Sequence, residues 1–273
     1  MVTFLGIKKE KIQPLLLEHG LALWETKTPY EILRMKGAVT AVLFTSGRLL
    51  LQGKDDAVEN YRKLLLSKGH KEEKKPAFIK ETGVIIGSDE SLKGDTFGGL
   101  VVAAVMANEN IRNDLLSLGV QDSKKIKDKD IPPLALEIEK LTDHIIDSVY
   151  PEQYNHHTLT ELLNTMHMHC TNTLRKKQKA VVVVDKYPGC TVGDIKTTHA
   201  EDKYLEVAAA SILARDEALK QLQSLSKELG YPIPKGSTHV NNALEFLKKS
   251  GKDPRKFVKM HFRNVKGVLE NNQ

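Results

Sequence analysis

Gly87-Ser88-Asp89-Glu90-Ser91-Leu92-Lys93-Gly94-Asp95-Thr96-Phe97-Gly98-Gly99 sets two adjacent acids between an apolar run and a glycine-studded turn. Residues 82–86 before it and 100–106 after it read as apolar strands, so the acids directly follow a buried strand. The glycines permit close approach of backbone to a ligand. Another acid, Asp185, ends the run Val181-Val182-Val183-Val184 and so sits where a central strand leaves the core. Glu201-Asp202 lies just before an Ala-rich helix read over residues 205–225. In α/β folds such strand-end carboxylates converge where ligands bind, beyond the carboxyl edge of the sheet. Clustered carboxylates raise one another's pKa unless a cation compensates, and an all-oxygen set suits Mg²⁺ or Mn²⁺ rather than zinc. Two such ions, roughly 3.5–4 Å apart, can activate water and stabilise the leaving oxygen of a phosphodiester. A single acid in such a place is most simply a helix cap or turn residue. Asp89-Glu90 and Asp185 together, both after apolar strands, point to a metal site.

The rest of the chain bounds the setting. Its 273 residues carry 41 Lys+Arg against 35 Asp+Glu, a net charge of +6, which favours a polyanionic partner. An apolar fraction of 40% is enough for a core and excludes long disorder. No apolar run approaches the roughly 20 residues that cross a bilayer. The start, MVTFLGIKKEKIQ, lacks the pattern of a secretory leader, so the expectation is a cytoplasmic protein with no membrane association. Cys170 and Cys190 are too few for a disulfide framework or a four-ligand zinc site.

The clearest composition break is the charged stretch Ser67-Lys68-Gly69-His70-Lys71-Glu72-Glu73-Lys74-Lys75-Pro76. It divides the chain into an expected N-terminal domain at 1–68, a linker at 69–78 and a larger domain at 79–273. Upstream, the patterns predict a helix over 11–19 ending at Gly20, a hairpin of strands 38–45 and 49–52, and an amphipathic helix over 55–66. Trp24 reads as partial core. Downstream they predict helices over 131–145 and 158–177, a strand over 180–184, and terminal helices including 246–247 and 257–262. Interleaved strands and helices make this an α/β domain.

At this point the residues resemble a known family. Gly87-Ser88-Asp89-Glu90-Ser91-Leu92-Lys93-Gly94-Asp95-Thr96-Phe97-Gly98 is similar to the first motif of prokaryotic type 2 ribonucleases H, and specifically of ribonuclease HIII. Gly119-Val120-Gln121-Asp122-Ser123-Lys124-Lys125-Ile126 resembles the second, and Val184-Asp185-Lys186-Tyr187 the strand-end aspartate motif. His199-Ala200-Glu201 followed by Val207-Ala208-Ala209-Ala210-Ser211-Ile212-Leu213-Ala214-Arg215 resembles the last. Residues 35–53 resemble the TATA-binding-protein-like domain that precedes ribonuclease HIII. The resemblance implies a ribonuclease H-like mixed five-stranded sheet flanked by helices, behind a small α+β substrate-binding domain. It implies endonucleolytic cleavage of the RNA strand of RNA/DNA hybrids by two Mg²⁺ or Mn²⁺ ions, leaving 5′-phosphate and 3′-hydroxyl ends. Asp89, Glu90, Asp185 and Glu201 match the catalytic, metal-binding acids. The fourth position often holds Asp in type 2 enzymes, and Asp202 competes for it.

The turn after Glu90 departs from the family. A Gly-Arg-Gly or Gly-Thr-Gly segment there uses backbone groups to contact ribose 2′-hydroxyls, but this chain has Leu92-Lys93-Gly94. A Cβ clashes at positive φ, so main-chain donors survive if Leu92 keeps φ negative, and hybrid recognition is expected to be retained. Ser91, Leu92, Lys93 and Gly94 are thus expected to touch nucleic acid, and Ser123, Lys124 and Lys125 to position phosphates. Asn164 and Asn172, about two helical turns apart, resemble paired asparagines on a helix that approaches the hybrid. His156, His157, His167 and His169 invite a zinc reading, but 167 and 169 fall on different sides of a helix and no ligand-spaced pair exists. The expectation is a monomer acting on RNA/DNA hybrid without an obligate protein partner. The rivals are a ribonuclease HII-like enzyme cutting at single ribonucleotides, a DNA nuclease of related fold, and a non-catalytic nucleic-acid-binding protein.

Overall fold

The computed structural model describes residues 2–72, 78–79, 82–121 and 123–269. Residues 73–77 of the expected linker and Asp122 of the second motif lie outside them. The chain divides into two compact units, Met1–Lys75 and Pro76–Gln273.

In the first unit, β1 (Val2–Leu5), α1 (Lys9–Glu18), β2 (Ala22–Trp24), β3 (Glu31–Lys36), β4 (Val39–Phe44), β5 (Leu49–Gly53), α2 (Asp55–Ser67) and β6 (Lys71–Glu72) follow in order. The strands form an antiparallel sheet ordered β2-β3-β4-β5-β1-β6. Alternation turns Leu33, Met35, Ala41, Leu43, Leu49 and Leu51 inward, where they pack with Ile12 and Leu16 of α1 and Val58, Tyr61 and Leu65 of α2. Arg34 and Lys36 alternate with buried Met35, so they belong to the opposite face. Trp24 pairs with Arg34 there. It is 54% exposed, with the Lys36 ammonium 4.5 Å from its ring centroid, so it is not the partial core residue its composition suggested. An edge strand leaves its outer face uncovered, and the indole meets a cation instead.

The second unit contains β7 (Ile85–Ser91), β8 (Leu100–Ala107), α3 (Glu109–Leu118), α4 (Ile131–Leu141), β9 (Asp143–Val149), α5 (Pro151–Tyr154), α6 (Leu159–Arg175), β10 (Val181–Asp185), β11 (Ile195–Thr197), α7 (Leu205–Leu229), α8 (Asn241–Ser250) and α9 (Arg263–Leu269). Its five-stranded sheet runs β11-β10-β7-β8-β9 and is mixed. β10 lies parallel to β11 and β7, whereas β7, β8 and β9 form an antiparallel meander. Strand β8 is buried on both faces. Val101, Ala103 and Val105 join the core on the α7 side, which residues of α3, α4 and α8 complete, and Val102 and Ala104 pack under α6. The result is a sheet between two helical layers. Helix α7 crosses β7 closely: a Cβ on Gly87 would lie 2.3 Å from the Val207 amide nitrogen.

Three expectations fail here for one reason. Strand β7 runs from Ile85 through Ser91, so Asp89 and Glu90 lie inside a strand rather than after one. The β8 ladder holds them there, with Asp89 opposite Ala103 and Glu90 opposite Val102. The helix expected over 131–145 stops at Leu141, and Asp143–Val149 joins β8 as an edge strand. Residues 257–262 are not helical either: Val258 bridges to Phe97, and the Lys259 amide donates to the Thr96 carbonyl at 3.0 Å. In each case pairing with a distant segment overrides the local pattern.

Candidate active site

Parallel pairing sets Ser88 beside Val184, so the next residues along, Asp89 inside β7 and Asp185 at the end of β10, lie side by side. Strand alternation then sorts the neighbours. Gly87 and Asp89 share the α7 face of β7, and Ser88 and Glu90 share the α6 face. Glu201 arrives on a single 3₁₀ turn, Ala200–Asp202, that feeds α7. His199 precedes it with φ +55, a left-handed kink that swings the chain round. The Ala200 amide then donates to Asp185 Oδ1 at 3.0 Å, tying the turn to the strand end. Asp89, Glu90 and Asp185 line a cleft of about 480 Å³ together with the turn at 91–95, Lys124, Arg215 and Lys235. Glu201, 3% exposed, is joined to it by Lys124, whose ammonium lies 3.0 Å from Glu201 Oε1.

This concentration of negative charge is incompletely compensated. Burial, then Glu90, Asp185 and Glu201, push the Asp89 carboxyl well above the usual carboxylate range. Burial also raises Asp185, with Glu201 and Glu90 adding to it. Burial pulls Glu90 the same way, but His167 and Lys93 beside it outweigh this and hold that carboxyl low. Glu201 Oε2 is buried without a hydrogen-bond partner, and Glu90 Oε2 faces the His167 Nε2, 3.4 Å away and outside hydrogen-bond geometry. An orphaned charged oxygen is costly, on the order of 1–3 kcal/mol or more. Among the described residues, no three His, Cys, Asp or Glu side chains enclose an ion as they stand. Lys93 on Glu90 and Lys124 on Glu201 hold the places of countercharges. Buried carboxylate oxygens without a hydrogen bond, in an all-oxygen donor set, fit a hard divalent cation.

Other expected residues divide between the cleft and the scaffold. Ser91, Lys93, Gly94, Ser123 and Lys124 line the cleft. Leu92 takes φ +67, against the expectation of a negative value, and its side chain is buried against the Phe97 core. Its carbonyl is held by the Asp95 amide at 3.2 Å and by Lys259 Nζ at 2.8 Å, which fixes the turn despite the Cβ. The amides of Lys93 and Gly94 have no acceptor among the described residues. Lys125 pairs with Asp202 at 2.7 Å, and Asp202 is 44% exposed, so that acid is the poorer fourth candidate. Asn164 is committed elsewhere. Its Nδ2 donates to the Gly189 carbonyl at 3.0 Å, and its Oδ1 accepts from the Thr191 amide and the Tyr187 hydroxyl, bracing the loop after β10. Asn172 is exposed on the same helix and does not line the cleft.

His167, weighed in sequence only for zinc, has a different place. It is fully buried, with Nδ1 2.7 Å from Ser88 Oγ, Nε2 3.4 Å from Glu90 Oε2, and its ring stacked on Tyr187. The available signal was a lone imidazole among Leu163, Met166, Cys170 and Leu174 on the buried face of α6. Arg215 and Lys235 also went unassigned as cleft residues. Both are anchored on Asp128.

The family model described as Ribonuclease HII matches residues 86–265. Ribonuclease HIII of Protochlamydia amoebophila (strain UWE25) is 35% identical over 259 residues, covering 86% of this chain and 85% of that protein. Ribonuclease HIII of Aquifex aeolicus (strain VF5) is 35% identical over 263 residues, covering 93% and 95%. Among solved structures, Aquifex aeolicus RNase H3 superposes with a TM-score of 0.58 at 31% identity, covering 96% of this chain and 100% of that one. Bst-RNase HIII in complex with Mn²⁺ superposes at 0.65 and 24% identity, covering 98% of each chain, a likeness of fold.

Proposed function

This chain belongs to the ribonuclease HIII family, and we propose that it is an endoribonuclease that hydrolyses the RNA strand of RNA/DNA hybrids with two divalent ions held by Asp89, Glu90, Asp185 and Glu201. The observation that carries the assignment of residues is the meeting of these four acids from β7, β10 and the turn before α7, with two buried carboxylate oxygens left without a hydrogen bond. When bound, Mg²⁺ or Mn²⁺ supplies Lewis acidity toward water and neutralises charge developing on the leaving oxygen. The burial and like-charge repulsion that raise the Asp89 carboxyl would be relieved by a cation there. His167 keeps the Glu90 carboxylate oriented from the α6 side. Lys93 and Lys124, no longer needed by Glu90 and Glu201, are placed to meet substrate phosphates.

The turn at 91–94 reads the ribose through the unpaired amides of Lys93 and Gly94, with Ser123 beside it. The products are a 5′-phosphate and a 3′-hydroxyl. The N-terminal unit, at 1–68 in our reading, adds affinity through the face bearing Trp24, Arg34 and Lys36. The protein acts as a cytoplasmic monomer on long RNA tracts. No helix among the described residues is long and apolar enough to cross a membrane.

The test is cleavage mapping with Mg²⁺ and with Mn²⁺ on three substrates: a hybrid with a long RNA tract, a duplex carrying one ribonucleotide, and an all-DNA duplex. Cuts throughout the tract support the proposal. Cuts confined to the single ribonucleotide, or in DNA, replace it. For the N-terminal face, Trp24→Ala is expected to weaken hybrid binding by roughly tenfold, the worth of one base-sized stacking contact. Unchanged affinity would remove that face from the substrate path.

A further inference from the structure

Lys259 is fully buried, a state lysine rarely occupies. Its Nζ donates to the carbonyls of Leu92 at 2.8 Å and Asp95 at 2.6 Å. The rings of Tyr154 and Phe262 lie 5.1 and 5.5 Å from it. The backbone that presents it is fixed on both sides. The Gly98 amide donates to the Phe257 carbonyl at 3.0 Å, and the Lys259 amide donates to the Thr96 carbonyl. Asn155 spans the same segment, donating to the Val258 carbonyl and accepting from the Met260 amide at 2.9 Å each. A segment near the C-terminus therefore delivers one ammonium to the turn that follows the catalytic strand.

The turn it grips is one the backbone disfavours, since Leu92 sits at φ +67 without being glycine. The peptide unit is planar and trans, so the Leu92 carbonyl and the Lys93 N–H belong to one rigid plate and point in opposite directions. Holding the carbonyl of Leu92 toward Lys259 therefore aims the Lys93 N–H the other way. That N–H has no acceptor among the described residues, and Lys93 lines the cleft. We infer that Lys259 is a positioning residue for substrate discrimination: by gripping the carbonyls of Leu92 and Asp95 it fixes the direction of the Lys93 amide that meets the ribose 2′-hydroxyl. The inference rests on the reading that this turn contacts the ribose. Burial pushes the ammonium down to about 7. A neutral amine still carries two N–H bonds for two carbonyls, so the grip survives loss of the proton.

The experiment compares full-length wild type with Lys259→Met and Lys259→Gln, the latter keeping an N–H donor pair on a shorter stem. Four quantities are read: cooperativity of unfolding, Mn²⁺ affinity by calorimetry, KM against kcat on a hybrid, and the ratio of Kd for same-sequence DNA duplex to Kd for RNA/DNA hybrid. Lys259→Met is expected to unfold cooperatively and bind Mn²⁺ within twofold of wild type. Its KM should rise and its hybrid preference fall by roughly tenfold, the scale of one lost hydrogen bond to substrate. Lys259→Gln should fall between the two. Normal preference in either folded variant overturns the inference. So does failure of both variants to fold, which would make Lys259 a folding residue alone. Absence of hybrid preference in wild type would instead overturn the reading of the turn.

Discussion

Two groups of buried charge border the same cleft and are finished in opposite ways. Glu90 and Glu201 each keep a buried oxygen with no hydrogen bond, and Asp89 resists ionisation among its neighbours. Lys259, buried as deeply, has a carbonyl for two of its hydrogens and aromatic rings beside it. Folded proteins satisfy nearly all buried polar groups, so an unsatisfied pair marks a place awaiting a ligand, and a satisfied one marks a fixture. On the proposed reading, the contrast separates residues that would exchange partners when substrate and metal bind from those that hold the frame.

The largest effect should come from the acidic cluster. Asp185→Asn is expected to cut single-turnover cleavage by roughly a thousandfold, about 4 kcal/mol of barrier, while leaving hybrid binding within a few-fold. Comparable turnover would dissolve the distinction. Next is the support behind Glu90. His167→Gln alters the support of Glu90, and a loss of roughly 10- to 100-fold in Mn²⁺ affinity by titration calorimetry is expected. A wild-type affinity would leave Glu90 oriented by Lys93 alone.

The fixture should announce itself through pH. Lys259 is held at about 7 in the folded protein, whereas an unfolded chain keeps its lysines charged until roughly 10.4. Between these values the unfolded state binds more protons, so stability rises with pH across that window. Urea unfolding should show wild type gaining on the order of 2 kcal/mol relative to Lys259→Met between pH 7 and 9. Parallel curves would mean the amine is not desolvated. The smallest effect concerns Asp89, whose folded pKa lies above the unfolded value. Its contribution is fully present at low pH and lost as pH rises through the folded pKa, so at neutral pH it strains the metal-free fold. Asp89→Asn should therefore raise the metal-free Tm by about 2–4 °C per kcal/mol relieved and abolish any Mn²⁺-induced rise.

That Asp89, Glu90 and Asp185 would lie near one another was legible because apolar runs followed by carboxylates are local patterns, and the family resemblance gave their order. Parallel pairing of β7 with β10 then joined what lay almost a hundred residues apart. What stayed hidden depends on partners far along the chain. Strand β7 reaches through Glu90 because an apolar β8 lies opposite, and residues 143–149 become a strand because β8 has a second free edge. Leu92 sits at a φ its own residue type disfavours, with its carbonyl held by Lys259, 167 residues later. Trp24 is exposed because its edge strand has one uncovered face. No window of sequence contains either half of such a relation together with the other.

Gly87 carries no functional group, yet it gauges the width of the acidic cluster. A single added methyl would collide with the Val207 amide nitrogen at 2.3 Å, and neither backbone can yield without moving the other. Glu201 rides on the entrance of that helix, whereas Asp89 rides on the strand. Wedging the two elements apart would stretch the spacing between these acids while leaving every one of them in the sequence. The absent side chain acts as a shim of zero thickness, and the tolerance of the whole charge cluster is set there.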